Sequence, residues 1–285
     1  VANLNNMSED FNPSLEFSGK RIKVKKMNKA SLVTGLTILG MVLFTIYGLM
    51  TFEYDGIKFW HAIVQTLANF KVLFFTPHLT HFTFWQGVFQ VLITVALAAL
   101  TTLISAILAV FLGLLASQNL TSKRTSNVIK GIVALIRAVP EVLWVLIFAV
   151  SAGLGSVAAV IGMTFHSVGY LIKAYSESFE ELEDGTIEAL KASGANWWQI
   201  VFQAVIPSSI TYLISWTFLR FEITFGVALA MGAAAGAGGI GYAVFMGSSF
   251  YFDLREIGAI TFFILIFAVL LETIAVQLKR RLKVK

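Results

Sequence analysis

The sequence predicts an all-α integral membrane protein that crosses the bilayer six times, with both termini cytoplasmic. Hydrophobic residues make up 57% of the 285, and the mean hydropathy is +0.80. Charged residues make up 13%, about half the share usual in a soluble domain and too few to coat a water-facing surface of this size. Crossing a ~30 Å hydrocarbon core takes about 20 helical residues. Apolar runs of that order recur at 31–52, 85–116, 128–150, 152–175, 207–231 and 255–278.

Other classes fall away on composition. With no cysteine, disulfides, thiolate metal sites and a cysteine nucleophile are excluded. The net charge of +5 would suit nucleic acid, but the basic residues gather at the ends of apolar runs, where the positive-inside rule accounts for them. No GxxxxGK[ST] pattern occurs, so the chain offers no nucleotide site of that kind.

Residues 1–30 form a basic cytoplasmic tail carrying Lys20, Arg21, Lys23, Lys25, Lys26 and Lys29. The tail lacks the apolar core of a signal peptide, and the biological start is read as Met7 or Val1. Residues 31–84 hold the first span and an external segment, 53–84, with Trp60, His61, Phe74, Phe75, His78 and His81. Much of that segment is amphipathic and suited to the interface. The histidines are poorly spaced for a metal site and no carboxylate stands beside His78 or His81 in sequence, so they read as interfacial. Residues 85–280 form a five-helix core and 281–285 a basic tail. Lys123, Arg124 and Lys130 lie between spans two and three, and Lys173 and Lys191 flank or sit in the loop after span four. External segments hold only Lys58 and Lys71, which fixes the orientation.

The loop 177–207 is the longest polar interval in the second half of the chain. It carries Glu177, Glu180, Glu181, Glu183, Asp184 and Glu188, six of the 16 acidic residues. Thr186 to Ser193 is helix-prone, with Glu188 near its start, where an acid suits the helix dipole. Gly194 can take the positive φ that reverses the chain. Residues 196–199 can begin a second short helix, and Pro207 suits the first turn of span five. The result is a helix-turn-helix knob along the cytoplasmic surface, suited to a partner outside the membrane. The plainer reading is an interfacial loop with Trp197 and Trp198 anchored among headgroups.

Charges inside spans need partners or water. Arg137 and Glu141 stand four apart and can pair on one helical face, with Pro140 kinking the helix between them. They form either a structural pair at a kink or part of a gate. Arg220 lies within span five, and Glu222, two residues on, faces roughly the other side. Arg220 therefore requires Glu272, a neighbouring subunit or a passing anion as partner. His166 and Lys173 share a face and read as packing or snorkelling residues. The small-residue segment 232–249, with Gly238, Gly239 and Gly241, reads as a re-entrant external loop near the pathway.

Glu188-Ala189-Leu190, Gly194 six residues after the Glu, and Ile206-Pro207 ending thirteen after the Gly resemble the cytoplasmic EAA loop of importer-type ATP-binding cassette (ABC) permeases. Leu190 replaces the second Ala of that pattern, Ala204 stands at its Ile and Ile206 at its Leu, while both long spacings are kept. The segments RAVPEVLWVLIF (137–148), GLG (153–155), HSVGYLIK (166–173) and GAGGIGY (236–242) are similar to the phosphonate-type permeases of that superfamily, over roughly residues 85–280.

The resemblance implies a type I permease fold and alternating access. It implies two cytoplasmic ATPase subunits holding ATP and Mg, an extracytoplasmic solute-binding protein, and a second permease subunit, either a copy or a paralogue. It assigns ATPase coupling to Glu188, Ala189, Gly194, Ala195, Trp197, Trp198 and Pro207. Arg137, Pro140, Glu141, Arg220, Glu222, Gly238, Gly239 and Gly241 are the pathway candidates. The expected cargo is phosphonate or a related phosphorus oxyanion, with methionine or another small solute as the alternative. A self-sufficient channel or secondary transporter is the competing class, but it predicts repeated halves that the sequence does not show.

Overall fold

The computed structural model describes residues 29–52, 56 and 58–282. The basic residues 20–26 and the last tail residues, 283–285, lie outside the described residues. The described chain is helical throughout: α1 (Lys29–Thr51), α2 (Phe59–Phe75), α3 (Phe84–Ala116), α4 (Lys123–Ala138), α5 (Glu141–Ala152), α6 (Ser156–Glu180), α7 (Asp184–Ala192), α8 (Trp197–Ile200), α9 (Ile206–Ala234), α10 (Gly239–Ser249) and α11 (Leu254–Leu282). It divides into two compact units, residues 1–61 and 62–285.

In the first unit, α1 is an apolar helix of 23 residues with none buried, about 35 Å at 1.5 Å per residue and so long enough to span. In the second, α3 and α6 pack along each other at the centre and α9 lies against both, with α5 on α6, α10 between α3 and α9, and α11 beside them. Residues 62–84 belong to this unit. A Cβ on Gly258 of α11 would strike the Leu73 carbonyl of α2, and Phe74 meets Phe262 edge-on. Leucine, isoleucine and phenylalanine side chains cover the outer faces, including Leu100, Leu103, Ile107 and Phe111 of α3. Such faces are stable only against lipid or another apolar chain.

Among the described residues, five helical stretches are long and apolar enough to cross a membrane: α1, α3, α6, the rod from Trp197 to Ala234, and α11. The pair α4 and α5, bent by 85°, makes a sixth if the two are one broken span. A kinked continuous helix was expected there, but the chain breaks. Val139, before the proline, is extended (φ −89°, ψ 126°), and Pro140 is extended too (φ −54°, ψ 140°). Pro140 cannot donate, and its ring disfavours helical geometry in the preceding residue.

The start of span five also differs. The second knob helix and the span are one rod of 38 residues, joined through a π-helical turn at Val201–Val205. The Ile206 amide bonds five residues back to the Val201 carbonyl. Widening the turn just before Pro207 relieves a ring that would otherwise press on the carbonyl four residues earlier. Span four runs on to Glu180, so the first acids of the loop continue that helix.

Glycine sets the closest crossing of α5 and α6. A Cβ on Gly162 would lie 2.5 Å from the Val145 Cα. By contrast, Gly131 of α4 has nothing within 4 Å. Gly162→Ala should therefore destabilise the purified protein by about 1–3 kcal/mol through overpacking. Gly131→Ala should be neutral or stabilising by about 0.5–1 kcal/mol. Thermal unfolding in detergent checks both; equal midpoints for the two variants would remove the crossing as a constraint.

Candidate functional site

Two sites emerge: a surface knob and a buried charge cluster. The knob is built by local rules. Helix α7 ends in a full Schellman motif: the Gly194 amide donates to the Lys191 carbonyl and the Ala195 amide to the Leu190 carbonyl, both at 3.0 Å. Gly194 takes φ 85°, as the motif requires. The chain reverses into α8 through a reciprocal capping box, in which the Gln199 amide donates to Asn196 Oδ1 (2.9 Å) and the Asn196 amide to Gln199 Oε1 (2.7 Å).

The knob has two faces. Ile187, Ile200, Val201 and Val205 are buried in one apolar cluster with Leu114 and Ala116 of α3, Val133 of α4 and Phe179 of α6. Glu188, Ala189, Gly194 and Pro207 are exposed, as is Trp198, stacked on exposed Phe202. Ala195 and Trp197 are half-buried. Trp197 Nε1 donates to the Leu120 carbonyl at 3.0 Å, pinning the knob to the α3–α4 turn. That turn is tied to α6 as well: Asn119 donates to the Phe179 carbonyl (2.9 Å), and Glu180 accepts from the Gln118 amide (2.7 Å) and Lys130 Nζ (2.8 Å). Glu180 is thus a clasp residue between α6 and the α3–α4 region.

The second site corrects the predicted pairing of Arg137 with Glu141. The break at Pro140 removes the shared helical face. Glu141 instead pairs across the fold with Arg220, Nη2 to Oε1 at 2.6 Å. Arg220 is buried, and its Nε donates to Ser167 Oγ at 2.9 Å. Its Cζ lies 5.4 Å from the centre of the Tyr170 ring, and Arg137 approaches the same ring at 6.0 Å. His166, read as a packing residue, places Nδ1 at 3.3 Å from Glu141 Oε2, though not aligned for a hydrogen bond.

Glu141 therefore fills the role for which Glu272 was considered. Glu272 is exposed and makes no ion pair among the described residues. Glu222 is exposed on the face opposite Arg220, about 200° around the helix. Ser167 and Tyr170 were missed, although both lie within one turn of His166. Thr101, Thr164 and Thr224 also carry buried hydroxyls without a partner among the described residues.

At the other end of the fold, Gly239 and Gly241 are buried. A Cβ on Gly239 would strike Thr94 Oγ1 of α3, and one on Gly241 the Leu229 carbonyl of α9. Here they permit backbone contact, while Gly238 (φ 81°) turns the chain into α10. His81 does have carboxylates beside it, brought from far along the sequence. It shares a 2.5 Å hydrogen bond with buried Glu256 and stacks on Tyr251 at 3.8 Å. Glu256 Oε1 also accepts the amides of Thr80 and His81. Asp253 accepts from the Thr80 hydroxyl at 3.0 Å. Backbone donation, foremost from Glu256, holds the Asp253 carboxyl below its usual range. These contacts make the cluster a clasp joining the α2–α3 loop to α11.

The sequence profile of the family described as "Binding-protein-dependent transport system inner membrane component" matches residues 109–284. The chain is 29% identical over 178 residues to the "Phosphate-import permease protein PhnE" of Mycolicibacterium smegmatis, covering 62% of this chain and 33% of that protein. It is 28% identical over 191 residues to the "Phosphite transport system permease protein PtxC" of Stutzerimonas stutzeri, covering 67% and 69%. The chain thus spans a third of the first relative's length. Among solved structures, the inward-facing MetNI methionine ABC transporter shares the fold at a TM-score of 0.64 and 20% identity, over 72% of this chain and 99% of that one.

Trp197→Phe keeps an aromatic ring at the position and deletes the bond to Leu120. The loss should be about 1 kcal/mol, which corresponds to roughly fivefold faster amide exchange across 184–200 in the purified protein. Unchanged exchange there would show that the bond does not hold the knob.

Proposed function

The chain belongs to the family of binding-protein-dependent transport system inner membrane components, and we propose that it is the permease subunit of an ATP-driven importer whose cargo is phosphonate or a related phosphorus oxyanion. It is an integral, multi-pass protein of the inner membrane. The observation that carries the transport reading is the two-faced knob. One face is locked into the helix core, while the other presents Glu188, Ala189, Gly194 and Trp198 outward. A surface so anchored can pass the motion of a separate subunit into the bundle.

In this mechanism two cytoplasmic ATPase subunits hold the ATP and Mg and close on the knobs of two permease subunits, this chain and a copy or paralogue. The permeases rock about one another, and a solute-binding protein delivers cargo to the outer face. The names of the relatives, phosphate-import and phosphite permeases, support the cargo class. So does the buried guanidinium of Arg220, whose planar donors suit an oxyanion.

Reconstitution of the chain with its ATPase and binding protein in vesicles tests the reading. Uptake of methylphosphonate or phosphite should require ATP, and full transport by the chain alone would overturn it. Gly194→Asp places a charged side chain on the exposed turn in a left-handed conformation. Uptake should fall at least tenfold while the complex still assembles, whereas Gly185→Ala, which meets nothing within 4 Å, should transport normally. Survival of coupling in Gly194→Asp would show that the knob is not the contact surface. Arg220→Gln, in a complex that still assembles and hydrolyses ATP, should lose most oxyanion uptake; undiminished uptake would remove Arg220 from the pathway.

A further inference from the structure

The groups around Arg220 are those expected of an anion site. Arg220 supplies a guanidinium whose Nη2 donates to Glu141 and whose Nε donates to Ser167 Oγ, and His166 an imidazole edge 3.3 Å from the carboxylate. The N-terminus of α5, capped by no side chain, adds the positive end of a helix dipole. An anion already sits among them, and it belongs to the chain: the Glu141 carboxylate, in the first turn of α5.

We propose that Arg220 and His166, with Ser167 holding the guanidinium in place, form an oxyanion site that Glu141 fills in this conformation, and that the transported anion takes over the same groups when Glu141 withdraws. The inference rests on the cargo reading given above.

Three observations favour exchange over a fixed structural pair. These groups and the carboxylate sit on elements of unequal freedom. Arg220, His166 and Ser167 belong to α9 and α6, two long helices packed on each other and joined by the hydrogen bond between Tyr175 and Thr217 (2.5 Å). Glu141 belongs to a helix of 12 residues. Before α5 lie the two extended residues of the Pro140 break, and after it lie Gly153 (φ 80°) and Gly155 (φ 144°), which have nothing within 4 Å of an added Cβ. The tight crossing at Gly162 and Val145 gives α5 a pivot on α6. Its two ends can therefore shift while those three residues stay in place.

Access is also one-sided. The side chain of Arg220 is 3% exposed, while those of Glu141 and His166 are 10% and 18% exposed. An incoming anion meets the carboxylate edge of the cluster first.

Charge neutrality then couples the two events. With Glu141 in place the pair with Arg220 is neutral. If Glu141 leaves without a replacement, an uncompensated guanidinium remains at membrane depth, which is strongly unfavourable. An arriving oxyanion removes that penalty. The carboxylate in turn keeps the anion from being held indefinitely, because it returns to the same groups.

The test uses the assembled permease–ATPase complex carrying Glu141→Gln, with inorganic phosphate and methylphosphonate as probes. The variant keeps the shape of the side chain and removes the competing charge. Expected results are at least tenfold tighter retention of labelled phosphate than in the wild type, a rise in melting temperature with phosphate but not with chloride at equal ionic strength, and uptake in which KM and kcat both fall. The double variant Glu141→Gln with Arg220→Gln should assemble and retain no phosphate. If Glu141→Gln assembles only when phosphate is present, that also supports the site. Retention no better than wild type overturns the proposal, as does equal retention by the double variant. Failure of Glu141→Gln to assemble with or without phosphate, while the double variant assembles, also overturns it and leaves an ordinary structural pair. Lack of phosphorus oxyanion uptake by the wild-type complex sinks the cargo reading; uptake without any gain in retention sinks this inference alone.

Discussion

A guanidinium in the middle of a membrane helix must find its counter-charge inside the protein, and the central architecture follows from how Arg220 does so. No acid on its own helix can reach it, since Glu222 points away. The carboxylate comes from Glu141, 79 residues earlier. Bringing it there requires the chain to turn sharply between α4 and α5. Pro140 provides that turn, because its ring disfavours helical geometry in the preceding residue and it has no amide to donate back into α4. The short helix that results must then lie close on α6, and Gly162 permits this by leaving the Val145 backbone unobstructed. On the α4 side of the break, Gly169 plays the same part, where a Cβ would meet Ile136 and Arg137 at 3.2 and 3.3 Å. One buried charge thus accounts for a proline, two glycines and the 85° bend.

The same cluster is mechanically continuous with the knob. Arg220 rides on the rod that begins at Trp197, so the second knob helix and the buried guanidinium belong to one helical body, interrupted only by the π turn. Ile200, Val201 and Val205 on that rod share an apolar cluster with Phe179 and Leu171 of α6, the helix that carries His166 and Ser167. A displacement applied to the exposed face at Glu188 and Trp198 therefore reaches Arg220, His166 and Ser167 through packed side chains. Interiors at this density deform little before they move as bodies.

What the sequence made legible were the features governed by near neighbours. Span limits followed from unbroken apolar runs, and α3 and α11 start within one residue of expectation. The knob was legible because a Schellman glycine and an Asn–Gln capping box are written within a few residues of each other. The charge cluster was not. The rule that pairs residues four apart presupposes a continuous helix, and Pro140, in the same stretch, removed that premise. Trp144 shows the consequence: its indole reaches back eight residues to the Ile136 carbonyl across the break. The clasp between His81 and Glu256 joins residues 175 apart, beyond any local pattern. The π turn left only Pro207 as a trace, and a proline at that position is equally compatible with an ordinary helix start.

Two short helices, α5 and α10, both begin at irregular backbone, yet they differ in freedom. α10 is sealed on both sides. Gly239 and Gly241 bring its backbone onto α3 and α9, and the Ile240 amide donates to Thr94 Oγ1 at 3.0 Å. Beyond its far end, the turn is held by Asp253 bonding to Thr80 and by the clasp at His81. α5 crosses α6 tightly at Gly162, and a Cβ added to Gly153 or Gly155 beyond its C-terminus would meet nothing within 4 Å. Strain introduced at the knob is carried by α6 and α9 without deforming them, because both are long and packed on each other. It must be absorbed where packing is least redundant. Among the helices around Arg220, α5 is the one that rests on a single neighbour, α6, and the residue at its leading end is the carboxylate that neutralises Arg220.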